Sequence, residues 1–317
     1  MRVNPQTKSL SEGQLAGLSL LTMGGDLASG QGMASLCTLS PLSGWAAFGA
    51  MSGSASRYNT GSHINVNGIN GLFGIGRRFV GAPGFFQTGV FFETGYGDYS
   101  THNSFANRAS VRGDGDSHYY GGGLLARFDL TTSFLSGLYT EGSFRLGHME
   151  NQWKSHDLMD AAGRRASYDT SASYYGAHFG LGYILPLGES TSLDLYGKYS
   201  WTRQDGDTAS VVGDPFSFDE ITSQRLRLGG KVNHTFSERV VSYVGAAWEH
   251  EFDGKARATT YGYDVPAPSL KGDTGIFELG MSFKPAADSG LSFDLAAQGY
   301  TGIRSGIGGS LQVKYTF

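Results

Sequence analysis

Leu291-Ser-Phe-Asp-Leu-Ala-Ala-Gln-Gly-Tyr300, a turn through Thr301 to Ser305, and Gly306-Ile-Gly-Gly-Ser-Leu-Gln-Val-Lys-Tyr-Thr-Phe317 close the chain. In the last limb Leu311, Val313, Tyr315 and Phe317 share one side, and Ser310, Gln312, Lys314 and Thr316 share the other. That is the period of two of a β-strand. The limb ends on the aromatic itself, whereas a terminus in water usually frays. A membrane barrel can bury such a residue.

The same texture extends back to residue 44. About twelve strand-length segments follow one another from Gly44–Tyr58 to Ser305–Phe317, separated by clusters of Gly, Asp, Asn, Ser and Pro. An even number of antiparallel strands, each about ten residues or longer, is the pattern of an outer-membrane barrel. One side of the better segments is apolar, as with Leu193, Leu195, Tyr199 and Trp201, or Phe277, Leu279, Met281 and Phe283. The other side carries Glu141 and Arg145, Asp194 and Lys198, Arg225, Arg227 and Lys231, Glu249 and Glu251, and Glu278. Both charge signs thus recur at positions that would line a lumen, and Glu141, Arg145, Lys198, Arg227, Glu249, Glu251 and Glu278 are expected to form a charge network there.

Alternation alone does not separate a barrel from a soluble sandwich. Connection lengths do. Asn59–Gly61, Gly81–Pro83, Thr131–Thr132, Gly188–Glu189, Thr235–Glu238 and Pro285–Ser289 read as short turns, and Tyr99–Asp116, Asn151–Ser167, Gln204–Phe216 and Gly254–Leu270 as long polar loops. Such asymmetry fits turns on one rim and external loops on the other. Tyr58, Tyr96, Tyr99, Trp201 and Trp248, near strand ends, are candidates for interfacial girdles. Ile64 and Val66 differ in parity from Ile69, Phe73 and Ile75, which suggests a bulge near Gly68.

Residues 1–43 have a different character. Leu10, Leu15, Leu18, Leu21 and Leu27 recur at near-helical spacing, Ser9 with Glu12 or Ser11 with Gln14 offers a capping box, and Gly24-Gly25 should weaken the helix. Asp26 could cap a second short turn. Glu12, Gly17, Ser19 and Thr22 interrupt the apolar stretch and no small-x-small site follows, so it is not read as a signal peptide and the chain is expected to be cut from a longer precursor.

Composition narrows the function. Among 317 residues there are 49 Gly and 8 Pro, with 20 Phe, 17 Tyr and 4 Trp, which is neither collagen-like nor disordered. A net charge of -4 gives no electrostatic reason for a nucleic-acid partner. The single cysteine, Cys37, excludes an internal disulfide and a Cys-cluster zinc site. No apolar run reaches the roughly 18 to 20 residues of a transmembrane helix, so any crossing is made by closed strands. The eight histidines show no H-E-x-x-H and the serines no G-x-S-x-G turn. Asp114, Asp116 and His118 could suggest a cation site, but a solvated loop explains them better. His250 alternates onto the apolar side, which suits a rim position. No cofactor or metal is expected.

Ala50-Met-Ser-Gly-Ser-Ala-Ser-Arg-Tyr-Asn-Thr-Gly-Ser-His-Ile-Asn65 resembles the first barrel hairpin of type Va autotransporter C-terminal translocator domains. So do Tyr243-Val-Gly-Ala-Ala-Trp-Glu-His-Glu-Phe252, Glu278-Leu-Gly-Met-Ser-Phe-Lys-Pro285 and the stretch from Leu291 to Phe317, while Leu15–Leu18 and Gly30–Ala34 look like that family's linker. The resemblance implies a twelve-stranded antiparallel transmembrane barrel over residues 44–317, with residues 1–43 as a linker whose α-helix threads the lumen. It implies a non-enzymatic, monomeric translocator in the bacterial outer membrane that anchors and exports an N-terminal passenger. Leu311, Val313, Tyr315 and Phe317 would then be a signal to the barrel-assembly machinery, with outer-membrane lipid and periplasmic chaperones as further partners. Lumenal self-cleavage in that family uses a linker asparagine, and here only Asn4 precedes Gly44. The alternatives are a stand-alone channel and a barrel hydrolase.

Overall fold

The computed structural model describes residues 3–37, 45–132 and 135–317. Expectations that fall on residues 38–44, 133 and 134 lie outside them. A 3-10 turn, Pro5–Thr7, leads into α1 (Lys8–Leu27), a π-helical turn (Ala28–Gly32) and α2 (Met33–Cys37). The strands follow as β1 (Trp45–Asn59), β2 (His63–Gly81), β3 (Gly84–Phe105), β4 (Arg108–Leu130), β5 (Leu138–Met159), β6 (Arg165–Pro186) and β7 (Thr191–Gln204). Then come β8 (Asp207–Val211), β9 (Asp214–Phe218), β10 (Ile221–Ser237), β11 (Val240–Glu251), β12 (Ala258–Thr260) and β13 (Tyr263–Asp264). The last are β14 (Gly272–Phe283), β15 (Leu291–Gly302) and β16 (Arg304–Thr316).

Among the described residues, β1–β7, β10, β11 and β14–β16 form one closed antiparallel barrel of twelve strands. β1 closes on β16, in register from Ala46 opposite Thr316 to Tyr58 opposite Arg304. The Phe317 amide donates to the Trp45 carbonyl, which puts both chain positions on one rim. Closure leaves no raw strand edge, so every ladder group is paired in lipid.

The outward face settles what surrounds the barrel. Ile69, Phe73, Phe92, Phe179, Phe277, Leu279 and Ile307 are each more than half exposed, Ile307 at 71%. A belt of large apolar side chains around the whole circumference is far beyond what a water-facing surface carries, and it fits hydrocarbon. No helix among the described residues is long and apolar enough to cross a membrane. The crossing is made by strands.

Several boundaries differ from the sequence reading. Tyr99–Asp116 and Asn151–Ser167 are not loops. β3 to β6 are 22 or 23 residues long and carry their ladders almost to the tips. A tilted strand needs only about 9 to 11 residues to cross, so these hairpins rise roughly 20 Å beyond the belt. Their cross-strand pairs satisfied the backbone better than a loop could. Thr131–Thr132 is part of a longer connection, since β5 starts at Leu138. The turn at 60–62 is short, yet it shares the rim of the long hairpins.

No bulge occurs at Gly68, because both ladders of β2 run through it without a shift. The parity change is instead a change of environment. Ile64 and Val66 are buried against the lumenal helix, and Ile69, Phe73 and Ile75 face outward. Tyr58 and Tyr99 are likewise buried inside and belong to no girdle, whereas Tyr96 and Trp248 are exposed outside.

The helix also departs from its expected breaks. α1 runs unbroken through Gly24-Gly25, and the irregularity is the π turn that follows. Thr7 stands at the N-cap and its Oγ1 donates back to the Asn4 carbonyl without capping the helix, so neither capping box forms. Ser9 Oγ donates to the Gln6 carbonyl instead.

Candidate functional site: the plugged lumen

Every residue of α1 from Ser9 to Gly24 is buried. A helix buried all round needs a wall on every side, and the barrel supplies two kinds. Toward β1–β6 the contact is mainly apolar, with a few polar bonds such as Asn151 Nδ2 to the Gly13 carbonyl. Leu20 and Leu21 pack with Tyr119, Met149 and Tyr174, and Leu27, Met33 and Leu36 pack with Phe48, Leu72 and Leu125. Gly13, Gly17 and Gly24 make this approach possible. A Cβ on Gly13 would lie 2.3 Å from Tyr168 Oη, one on Gly17 2.3 Å from Met149 Cε, and one on Gly24 2.9 Å from Tyr119 Cζ. The spacing of these glycines was visible in the sequence as gaps of four and seven, which share a helix face.

Toward β7–β16 the contact is ionic. Asp26 lies 3.0 Å from Arg225 Nη1, 2.9 Å from Arg227 Nη2 and 3.6 Å from Arg304 Nη1. Glu249 completes the group at 2.7 Å from Arg227 and 3.3 Å from Arg225. Asp26 is therefore the helix's anchor in the wall and caps no turn. Lower down, Lys198 Nζ donates to the Ser29 carbonyl at 2.7 Å and pairs with Glu141 at 2.7 Å. That carbonyl lies within the π turn. At the other end Glu12 accepts from Thr60 Oγ1 at 2.9 Å and from Asn103 Nδ2 at 2.7 Å, with Lys8 Nζ 3.6 Å away.

The seven residues expected at the lumen all point inward, but the structure divides them. Arg145 pairs with Glu93 at 2.9 Å and donates to the Leu21 carbonyl at 2.6 Å. Glu141 gathers Lys198 and Arg127, while Arg227 and Glu249 belong to the Asp26 group. Glu278 pairs with Lys231 at 2.8 Å. Glu251 meets no cation within ion-pair distance among the described residues; it accepts from Ser223 Oγ and from the Gln224 and Asp253 amides. Sequence reasoning missed Asp26, Glu93 and Arg304. Glu93 has the inward parity of its strand, and Asp26 is one of only two acids in the helix, but Arg304 falls in what reads as a turn.

Other candidates lie outside the lumen. Asp114, Asp116 and His118 sit on β4, not in a loop, with His118 3.4 Å from Glu150 and Asp114 paired to His156. No group of three or more potential metal ligands occurs among the described residues. His250 faces outward between Trp248 and Phe252 and reaches Asp273 at 2.7 Å. Beyond the belt, hydrogen bonds from Arg112 hold the exposed Asp157 carboxyl down at about 2, which ties the β4 and β5 tips together. Leu311, Val313, Tyr315 and Phe317 line the outer face of β16, with Tyr315 and Phe317 edge-on at 5.2 Å.

A closed apolar-belted barrel around a buried helix defines an outer-membrane β-barrel with an internal plug. The family model for the Autotransporter beta-domain matches residues 43–297, and the chain belongs to that family. It is a translocator barrel of type V secretion, located in the outer membrane. The translocator domain of the autotransporter NalP from Neisseria meningitidis is similar, with 15% identity, a TM-score of 0.65, and 98% of this chain and 99% of that one covered. The β-domain of the Bordetella autotransporter BrkA gives 14% identity and 0.59 over 86% and 100%. The transport unit of AIDA-I from Escherichia coli gives 16% and 0.59 over 93% and 98%. At such identities the likeness is one of fold. No curated protein sequence matches.

Proposed function

We propose that residues 44–317 anchor and help export a passenger polypeptide joined ahead of residue 1, with residues 1–43 as the tether through the lumen. The observation that carries this reading is where the helix ends. Gln6 Nε2 donates to the Ala109 carbonyl and Arg108 Nη1 to Asn4 Oδ1, so the helix start is held at the β3–β4 tip. Phe317 is at the opposite rim. Long hairpins mark the external rim of such barrels, so anything preceding Val3 would lie outside the cell and stay attached. The wall contacts described above would hold the tether after export.

Asn4 sits at that external rim, before the helix, and bonds to Gln6 and Arg108, so we read no self-cleavage and no catalysis in this barrel. The terminal strand would be read by the barrel-assembly machinery through edge pairing, with Val313, Tyr315 and Phe317 filling side-chain pockets. Periplasmic chaperones would carry the unfolded chain there, and one chain would suffice for a pore.

A signal peptide and a soluble reporter fused ahead of Val3 test the reading. Protease added to intact cells should remove the reporter and leave a folded barrel. A protected, periplasmic reporter on a folded barrel would overturn it and favour the stand-alone channel.

A further inference from the structure

The helix seals only one side of the lumen with apolar packing. Mostly on the β7–β16 side, but reaching Arg127 and Glu141, a cavity of about 330 Å³ bordered by Asp26, Gln31, Lys231, Glu278 and Arg304 lies against the lower helix. A second of about 850 Å³ opens at the rim of Phe317, and the two share Ala34, Val241, Ser282 and Asp294. A continuous path with charged groups along it therefore climbs from the inner rim to the Asp26 group. Ion pairs at its top do not exclude water and small ions as a dry core does.

A second sheet lies above this path. β8, β9, β12 and β13 make a separate four-stranded sheet. It is built from the β7–β10 and β11–β14 connections, on the very strands that bound the open side. Its strands alternate, with Val211, Phe216 and Phe218 turned inward and Thr208 and Ser210 exposed. The inward side chains join Leu10, Leu15, Trp153 and Tyr168 in one apolar cluster. Phe218 and Tyr168 rings are 4.9 Å apart, and Tyr168 Oη donates to the Leu10 carbonyl. The sheet is also bonded to the neighbouring β5–β6 hairpin: Ser171 N of β6 donates to Asp207, and Arg164 Nη2 at the β5–β6 tip donates to the Val212 carbonyl.

We propose that this sheet is a lid that completes the permeability barrier of the plugged barrel, and that lid and helix hold each other shut through their shared core. The lid must swing aside for a polypeptide to pass, and it closes only on a seated helix. The inference concerns small solutes and stands apart from the passenger.

The full chain and F216A/F218A are compared in planar bilayers in KCl, with trypsin added on the lid side, where Lys255 and Arg257 flank the start of β12. The unaltered chain should stay closed and uncut. In the double variant the open fraction should rise at least about tenfold, with cleavage near Arg257 and a barrel still shifted on cold gels. Lid cleavage without conductance would overturn the proposal, because the helix alone would then seal. Loss of both rings without cleavage or conductance would overturn it too. Should the double variant fail to fold, Phe218→Ala alone is read by the same two outcomes.

Discussion

Asp26 shows how much a single side chain can decide in a lumen. Three guanidiniums face it, and the helix offers no other acid at that level. Removing one partner of a buried pair leaves charge uncompensated and costs about 3–5 kcal/mol. Asp26 borders a cavity and is not sealed in a dry core, so Asp26→Asn should cost less, about 2 kcal/mol. The check is the temperature at which the compact form on cold gels is lost: it should fall for Asp26→Asn and be largely kept by Asp26→Glu. At this scale the sequence was only partly readable. Parity put Glu141, Arg145, Lys198 and Glu278 inside, because a strand leaves only two faces to choose from. Parity says nothing of partners, which come from strands far apart in the chain. Glu251 shows the limit, since it bonds to a hydroxyl and amides where a charge network was expected.

Among the elements, the terminal strand was legible from alternation alone, and so were most of its neighbours. The long hairpins were not, because polar residues on both faces beyond the membrane erase the apolar signal while the backbone ladder continues. The lid was hidden for a related reason: two strands of five residues and two shorter ones pair across separate connections. Deleting Phe317 removes one outward ring and one hydrogen bond to Trp45 from a seam of thirteen paired residues. In detergent the folded barrel should lose little stability. In cells, if the last aromatic is an assembly address, inserted barrel should drop several-fold, as membrane fractionation would show. Equal losses in both settings would make Phe317 a wall residue only.

For the molecule as a whole, the inward and outward faces obey opposite rules around one closed ladder. Ion pairs and a glycine-seated helix fill the inside, and the outside is apolar to the height of Tyr96 and Trp248. Closure gives such a barrel slow unfolding, so unheated protein in dodecyl sulfate should migrate apart from boiled protein. A single band under both conditions for refolded chain would contradict the fold.

The β1–β16 seam has one more consequence. The first strand's partner is the twelfth barrel strand in chain order, so a chain broken off before it leaves a sheet with two raw edges and no way to close. Pairing between Trp45–Asn59 and Arg304–Thr316 thus acts as a proof of completeness. Truncated chains cannot pass as finished pores, and they stay open to the proteases that clear unfolded protein.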